Sequence, residues 1–74
     1  MSGKSLKRIA FHTKRLRESK GLTQDELAVK CGRSRRIISW IENEHDGYHP
    51  DTSTVEAIAD VFKKDVIEFY RPIS

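Results

Sequence analysis

Helix start and stop signals around Gly32 restrict the fold of this chain more than any other feature. Thr23 and Glu26 have the spacing of a capping box, in which each side chain accepts a hydrogen bond from the other residue's backbone amide. A helix that begins there is broken by Gly32 after two turns, and Ser34 is a favourable cap for the next one. The sequence therefore predicts two short helices joined by a tight turn.

Three further helices are predicted over about residues 6–20, 52–63 and 65–71, where apolar residues recur at intervals of three and four. The helix over 52–63 is capped by Asp51 or by Ser53 in a second capping box. No stretch shows the apolar–polar alternation of a strand. We therefore expect an all-α fold of five helices.

The third helix, around residues 34–43, has two different faces when it is projected at about 100° per residue. Ile38 and Ile41 share the inner face, and Glu42 falls beside this apolar stripe. A polar, cationic outer face is what insertion into the major groove of DNA requires, although ordinary exposed helices are also polar outside. The residues that point outwards are Arg36, Ser39, Trp40 and Asn43, with Arg35 in the first turn.

Charge is distributed unevenly along the chain. Residues 1–36 hold eleven Lys and Arg against three acids, a net charge of +8, whereas residues 37–74 hold three against eight, a net charge of −5. A molecule with one basic and one acidic end approaches a polyanion in a preferred orientation. A solvated charged surface is the alternative interpretation of the same pattern.

Length and hydropathy predict a single domain over residues 1–74, with an N-terminal tail over about 1–5. No apolar run approaches the roughly 18 to 20 residues that cross a bilayer, and none follows the basic N-terminus as a secretory signal requires. We therefore expect no membrane association and a cytoplasmic location.

Metal, redox and catalytic roles find little support in the sequence. Cys31 is the single cysteine, so it has no disulfide partner within the chain. His45 and His49 lie in a loop that contains Gly47 and Pro50, and are not four apart on a helix. With no carboxylate pair, serine elbow or glycine-rich phosphate loop, we expect no metal, no cofactor and no enzymatic activity.

The segment QDELAVKCGRSRRIISWIEN, residues 24–43, resembles the helix-turn-helix of the phage Cro and repressor family, also called the xenobiotic-response-element family. It resembles that motif at its diagnostic positions, which have a small residue, Ala28, where the two helices cross, Gly32 in the turn, and apolar residues facing the core. The resemblance extends over about residues 9–70. It implies a compact, five-helix, lambda-repressor-like DNA-binding domain of a bacterial or phage protein.

The resemblance also implies roles for individual residues. Arg35 and Arg36 match the positions that meet base edges, where arginine pairs well with the O6 and N7 acceptors of guanine. Trp40 matches a position that approaches bases further along, and Ser39 shares this exposed side. Phosphate contacts are expected from Gln24, through its side chain or the backbone amide at the helix start, and from Ser34 and Asn43. Arg33 stands where the family has an apolar residue, so its side chain is expected to extend to solvent and to add a phosphate contact.

Two charged residues are expected to be structural. Arg17 and Glu42 match a family pair that joins the first helix to the end of the third, so Arg17 is not counted as a DNA contact. Arg33 and Lys63 depart from the family pattern, which has an apolar residue and a glycine at these places. Because Lys63 replaces this glycine, the helix over about residues 52–63 is expected to have a strained or altered C-terminal end.

Two functions remain open from the sequence. In the first, the chain is a sequence-specific transcription regulator, a repressor that binds double-stranded operator DNA as a homodimer on two half-sites about one turn apart. In the second, it is a protein-interaction module, such as the antitoxin of a toxin–antitoxin pair, with DNA binding secondary. Phe11, Trp40 and the acidic C-terminal half favour this alternative.

Overall fold

The computed structural model describes residues 3–73 and is helical throughout its regular elements. The predicted all-α class is confirmed, but the fifth element is a short 3₁₀ helix instead of an α-helix. No helix within residues 3–73 has the length and apolar character to cross a membrane. The elements are α1 (Gly3–Ser19), α2 (Gln24–Cys31), α3 (Arg35–Glu42), α4 (Thr52–Val61) and the 3₁₀ helix (Val66–Tyr70).

Helix α1 begins earlier than predicted. Residues 3–5, which the sequence assigned to a tail over 1–5, already belong to this helix, and residues 1–2 of that tail lie outside the described residues. No proline interrupts the segment, and Leu6, the fourth residue of the helix, is buried. Burial of Leu6 against the rest of the fold makes the additional turn favourable, because tertiary packing supplies most of the stability of a helix.

The helix starts follow the predicted caps. The Thr23 hydroxyl accepts from the Glu26 amide at 3.1 Å, and the Glu26 carboxylate accepts from the Thr23 amide at 2.8 Å. For α4, the cap is Asp51 and not Ser53, with the Thr54 amide donating to the Asp51 carboxylate at 2.9 Å. Hydrogen bonds from Thr54 hold the pKa of the Asp51 carboxyl below its usual value.

Each of the four α-helices is followed within two residues by a residue with positive φ. Gly21 and Gly32 occupy this place after α1 and α2, whereas Glu44 and Lys63 occupy it after α3 and α4. After α4, the Lys64 amide donates to the Ala59 carbonyl at 3.0 Å and the Lys63 amide to that of Asp60 at 3.2 Å, the pattern of a Schellman motif. The helix end expected to be altered at Lys63 therefore keeps the glycine-type geometry without a glycine.

Replacing Lys63 by glycine is expected to stabilise the fold by about 0.5–1 kcal/mol. Glycine removes the cost of a left-handed backbone at a residue with a Cβ, which exceeds the additional chain entropy that glycine loses on folding. Urea unfolding followed by circular dichroism measures the change. Lys64→Gly is the matched control, because Lys64 does not have a positive φ and its replacement should destabilise. A lower midpoint for Lys63→Gly would contradict the interpretation.

One hydrophobic core joins all five elements. Helix α1 packs against α3 and the 3₁₀ helix, and α2 packs against α3 and α4. Cys31 belongs to this core, where burial raises the pKa of its thiol. Fully buried side chains at its centre are Ile9, Leu27, Ile38, Ile41, Val55, Ile58 and Phe69.

The C-terminal segment lies on α1. Arg8 Nη1 donates to the Tyr70 carbonyl at 3.3 Å, and His12 Nε2 lies 3.0 Å from the Arg71 carbonyl. A carbonyl oxygen only accepts, so Nε2 of His12 carries the proton. The His12 ring is buried and meets Phe69 edge-on at 6.5 Å. These contacts join residues about sixty positions apart and hold Phe69 in the core.

Candidate nucleic-acid interface

The turn between α2 and α3 brings the two helices into close contact. Ala28 is buried where they cross, and the Arg33 amide donates to its carbonyl oxygen at 2.9 Å. Gly32 makes this turn with a φ of 72°. Ser34 then caps α3, its hydroxyl accepting from the Ile37 amide at 3.3 Å. The first turn of α3 is thereby fixed in direction with Arg35 and Arg36 on the surface.

The far end of α3 is held by a shielded ion pair. Arg17 Nε donates to Glu42 Oε2 at 2.7 Å, and Arg17 Nη2 donates to Oε1 at 3.0 Å. The Glu42 side chain is only 2% exposed and that of Arg17 is 13% exposed. Hydrogen bonding to Glu42 raises the pKa of the Arg17 guanidinium. A bidentate pair of this kind fixes the angle between α1 and α3.

Gln24 takes part in the same network. Its Nε2 donates to Glu42 Oε1 at 3.1 Å, so its carboxamide nitrogen is directed into the protein. The sequence placed Gln24 at a DNA phosphate through its side chain or its backbone amide. Because the side-chain nitrogen already has an acceptor, the backbone amide at the first position of α2 is the better donor for a phosphate.

Arg35 and Arg36 differ in their surroundings although they are adjacent. Arg35 Nε lies 3.6 Å from Asp25 Oδ1, and both side chains are largely exposed, 67% and 73% respectively. The Arg36 side chain is exposed and makes no ion pair or hydrogen bond with the part of the chain that the structure describes. One turn further on, Asn43 Nδ2 donates to the Ser39 hydroxyl at 3.1 Å, which ties these two predicted contact residues to each other.

Arg33 is more tightly bound than the sequence suggested. Its Nε donates to Thr54 Oγ1 at 3.2 Å and its Nη2 to Ser53 Oγ at 3.4 Å, so the half-buried side chain joins the turn to the start of α4. Arg33 therefore makes hydrogen bonds to two hydroxyl groups at a position where the family has an apolar contact. Its predicted phosphate contact would use the edge of the guanidinium that remains exposed.

Trp40 is not on an open outer face. Its ring is half-buried and stacks on the His45 ring, with 4.7 Å between centroids and an angle of 9° between the planes. Tyr48 packs against the same indole at 5.4 Å. The stack forms because Glu44 has a positive φ of 53° and the His45 amide donates to the Trp40 carbonyl at 2.9 Å, which turns the chain back over α3.

We expect Trp40 and His45 to be coupled by about 0.5–1.5 kcal/mol in the free energy of unfolding, as stacked aromatic rings are. A double-mutant cycle with Trp40→Leu and His45→Ala measures this coupling. His49→Ala is the control, because His49 lies in the same loop but contacts the Pro50 carbonyl through Nδ1 at 3.0 Å. Equal coupling of Trp40 to both histidines would show that the stack contributes nothing.

The comparisons with known proteins agree with this architecture. A family model described as helix-turn-helix, of the Cro/C1 type, matches residues 14–69. The chain belongs to this helix-turn-helix family. This membership indicates that the chain is a DNA-binding transcriptional regulator and not an enzyme. No curated protein matches the chain.

Two solved structures resemble this chain in fold. The chain superposes on the hypothetical transcription factor NHTF from Neisseria with a TM-score of 0.87 and 24% identity, covering 97% of this chain and 79% of that one. It also superposes on a point mutant of the restriction-modification controller protein C.Esp1396I with a TM-score of 0.76 and 29% identity, covering 89% of this chain and 83% of that one. The likeness to NHTF concerns the fold alone.

Proposed function

We propose that this helix-turn-helix chain is a sequence-specific regulator that represses transcription by occupying operator DNA as a homodimer. The observation that carries the proposal is the exposed first turn of α3, where Arg35 and Arg36 project from a helix fixed at both ends. Arginine donors at the start of such a helix fit the guanine edge in the major groove. Residues 1–74 act as a single domain in this proposal.

The proposed contacts divide into two groups. Base edges are met by Arg35 and Arg36, with Ser39 and the edge of Trp40 further along α3. Phosphates are met by the start of α2 at Gln24, by Ser34, and by Arg33 and Asn43 through the groups they leave exposed. Phosphate contacts position the protein, whereas the base contacts carry sequence information.

The homodimer is proposed because one short helix reads few base pairs. Two copies on half-sites about one turn of DNA apart double the sequence that is read. The second copy would present the same Arg35 and Arg36 to the opposite half-site, so the operator would be palindromic.

Selection of bound sequences from a random pool of duplex DNA tests the proposal. We expect enrichment of a palindrome whose half-sites are centred about 10 base pairs apart and contain guanine. Affinity for any duplex should also fall steeply with salt, because bound phosphates release counterions. A pool that remains random after repeated rounds at low salt would contradict sequence-specific binding.

A protein-interaction module is the second candidate. Phe11 is 40% exposed and Val29 is 81% exposed, on the outer faces of α1 and α2. Apolar side chains on an exposed surface are available to a protein partner, although single exposed apolar residues are also common. If the chain is an antitoxin, Phe11→Ser should lower its affinity for the partner protein. If the chain is a DNA-binding regulator, the same substitution should leave its affinity for the operator unchanged.

A further inference from the structure

The different surroundings of the two adjacent arginines at the start of α3 suggest different tasks. Arg35 has a carboxylate beside its Nε at 3.6 Å, contributed by Asp25. Arg36 has no such partner among the described residues. Asp25 is on α2, so the ion pair connects the two helices of the motif on their exposed side.

The backbone that carries Asp25 is held in place by its neighbours. It is the second residue of α2, directly after Gln24, which donates to the buried Glu42. The capping box between Thr23 and Glu26 fixes the same turn. The Asp25 carboxylate is therefore attached to a part of the backbone whose position is set by the fold.

We propose that Asp25 is a positioning residue that orients Arg35 for base recognition, an inference that rests on the proposed function. A carboxylate beside Nε leaves the two terminal nitrogens of the guanidinium free, and these form the fork that fits guanine O6 and N7. Arg36, which lacks this partner, keeps the base contact proposed for it, but its side chain is not oriented in advance by a carboxylate.

The charge of Asp25 has a second consequence. Its negative charge near Arg35 offsets the attraction of that arginine for phosphates, so Arg35 contributes more to discrimination between sequences than to general affinity. The pair is exposed on both sides and contributes little to the stability of the fold. Loss of Asp25 should therefore raise the affinity for random duplex, lower the preference for the base pair that Arg35 reads, and leave the unfolding midpoint almost unchanged.

The experiment compares Asp25→Asn with Glu26→Gln. Both remove one negative charge from the first turn of α2, and glutamine retains the capping box at position 26. Dissociation constants are measured by fluorescence anisotropy for the selected operator, for operators with single base-pair changes, and for random duplex at two salt concentrations. Arg35→Ala identifies the base pair that Arg35 reads.

We expect both variants to bind random duplex more tightly than the unaltered chain and by a similar factor. Only Asp25→Asn should lose preference for the base pair assigned to Arg35, by about threefold to tenfold. Adding Asp25→Asn to Arg35→Ala should cause no further loss of preference at that base pair. Preference at the other positions should be unchanged.

Equal base-pair preference in Asp25→Asn and Glu26→Gln would overturn the role of Asp25 while leaving the proposed function in place. A further loss of preference in the double variant would also overturn it, because Asp25 would then act independently of Arg35. If the unaltered chain itself shows no preference among operators, the proposed function and the role of Asp25 both fail.

Discussion

Replacing Glu42 by alanine is expected to lower the free energy of unfolding by about 3–5 kcal/mol. The Glu42 carboxylate is almost completely buried and accepts hydrogen bonds from Arg17 and Gln24. Its removal leaves the Arg17 guanidinium charged and shielded from water without a buried counter-charge. A domain of this length has little stability in excess, so the variant should be largely unfolded near physiological temperature.

Urea unfolding followed by circular dichroism measures this loss. Glu18→Gln is the control, because Glu18 is an exposed neighbour of the same Arg17 at 4.0 Å, and its charge should contribute almost nothing. Replacing both partners, as in Arg17→Met with Glu42→Leu, should recover much of the stability, since no buried charge then remains. A loss below about 1 kcal/mol for Glu42→Ala would show that water reaches the Arg17 guanidinium and replaces its lost hydrogen bonds.

Replacing Arg35 and Arg36 together by alanine is expected to remove most discrimination between operator and random duplex. Each arginine that makes a bidentate contact with guanine contributes about 1–3 kcal/mol of discrimination, so the two together account for about 2–6 kcal/mol, which is roughly 30-fold to 2 × 10⁴-fold in relative affinity. Both side chains are exposed, and alanine favours helix, so the fold should remain intact. Competition binding against random duplex measures the ratio.

Lys14→Ala with Arg15→Ala is the matched control for this double substitution. It removes the same charge from an adjacent exposed pair on α1. We expect the control to weaken binding to all sequences alike, because loss of positive charge acts on general attraction to DNA. Unchanged discrimination in the Arg35 and Arg36 variant would exclude these residues as the readers of base edges.

The sequence predicted best those features that depend on neighbouring residues. The capping box at Thr23, the cap at Ser34 and the inner face with Ile38 and Ile41 follow from local spacing, and the structure has them at the predicted places. Placement of Glu42 beside the apolar stripe likewise followed from helix geometry. Such patterns need no knowledge of the tertiary fold.

Features that depend on distant parts of the chain were harder to predict. The fifth element has only five residues between its cap at Asp65 and the segment before Pro72, which favours 3₁₀ geometry. The stacking of Trp40 depends on the backbone at Glu44, which has a positive φ although it is not glycine. Burial of His12 requires the C-terminal segment to return to α1, and no local pattern indicates that return.

The hydrogen bonds from Arg8 and His12 to the C-terminal segment have a consequence for synthesis of the protein. Helix α1 is made before the other helices of this domain, yet part of its apolar face is covered by Phe69, which is made after α2, α3 and α4. The growing chain can form its helix-turn-helix earlier, but it cannot complete its core until the residues around Phe69 have left the ribosome. During translation the nascent α1 therefore exposes apolar surface, and a chain stalled before Phe69 is a natural substrate for chaperones and proteases.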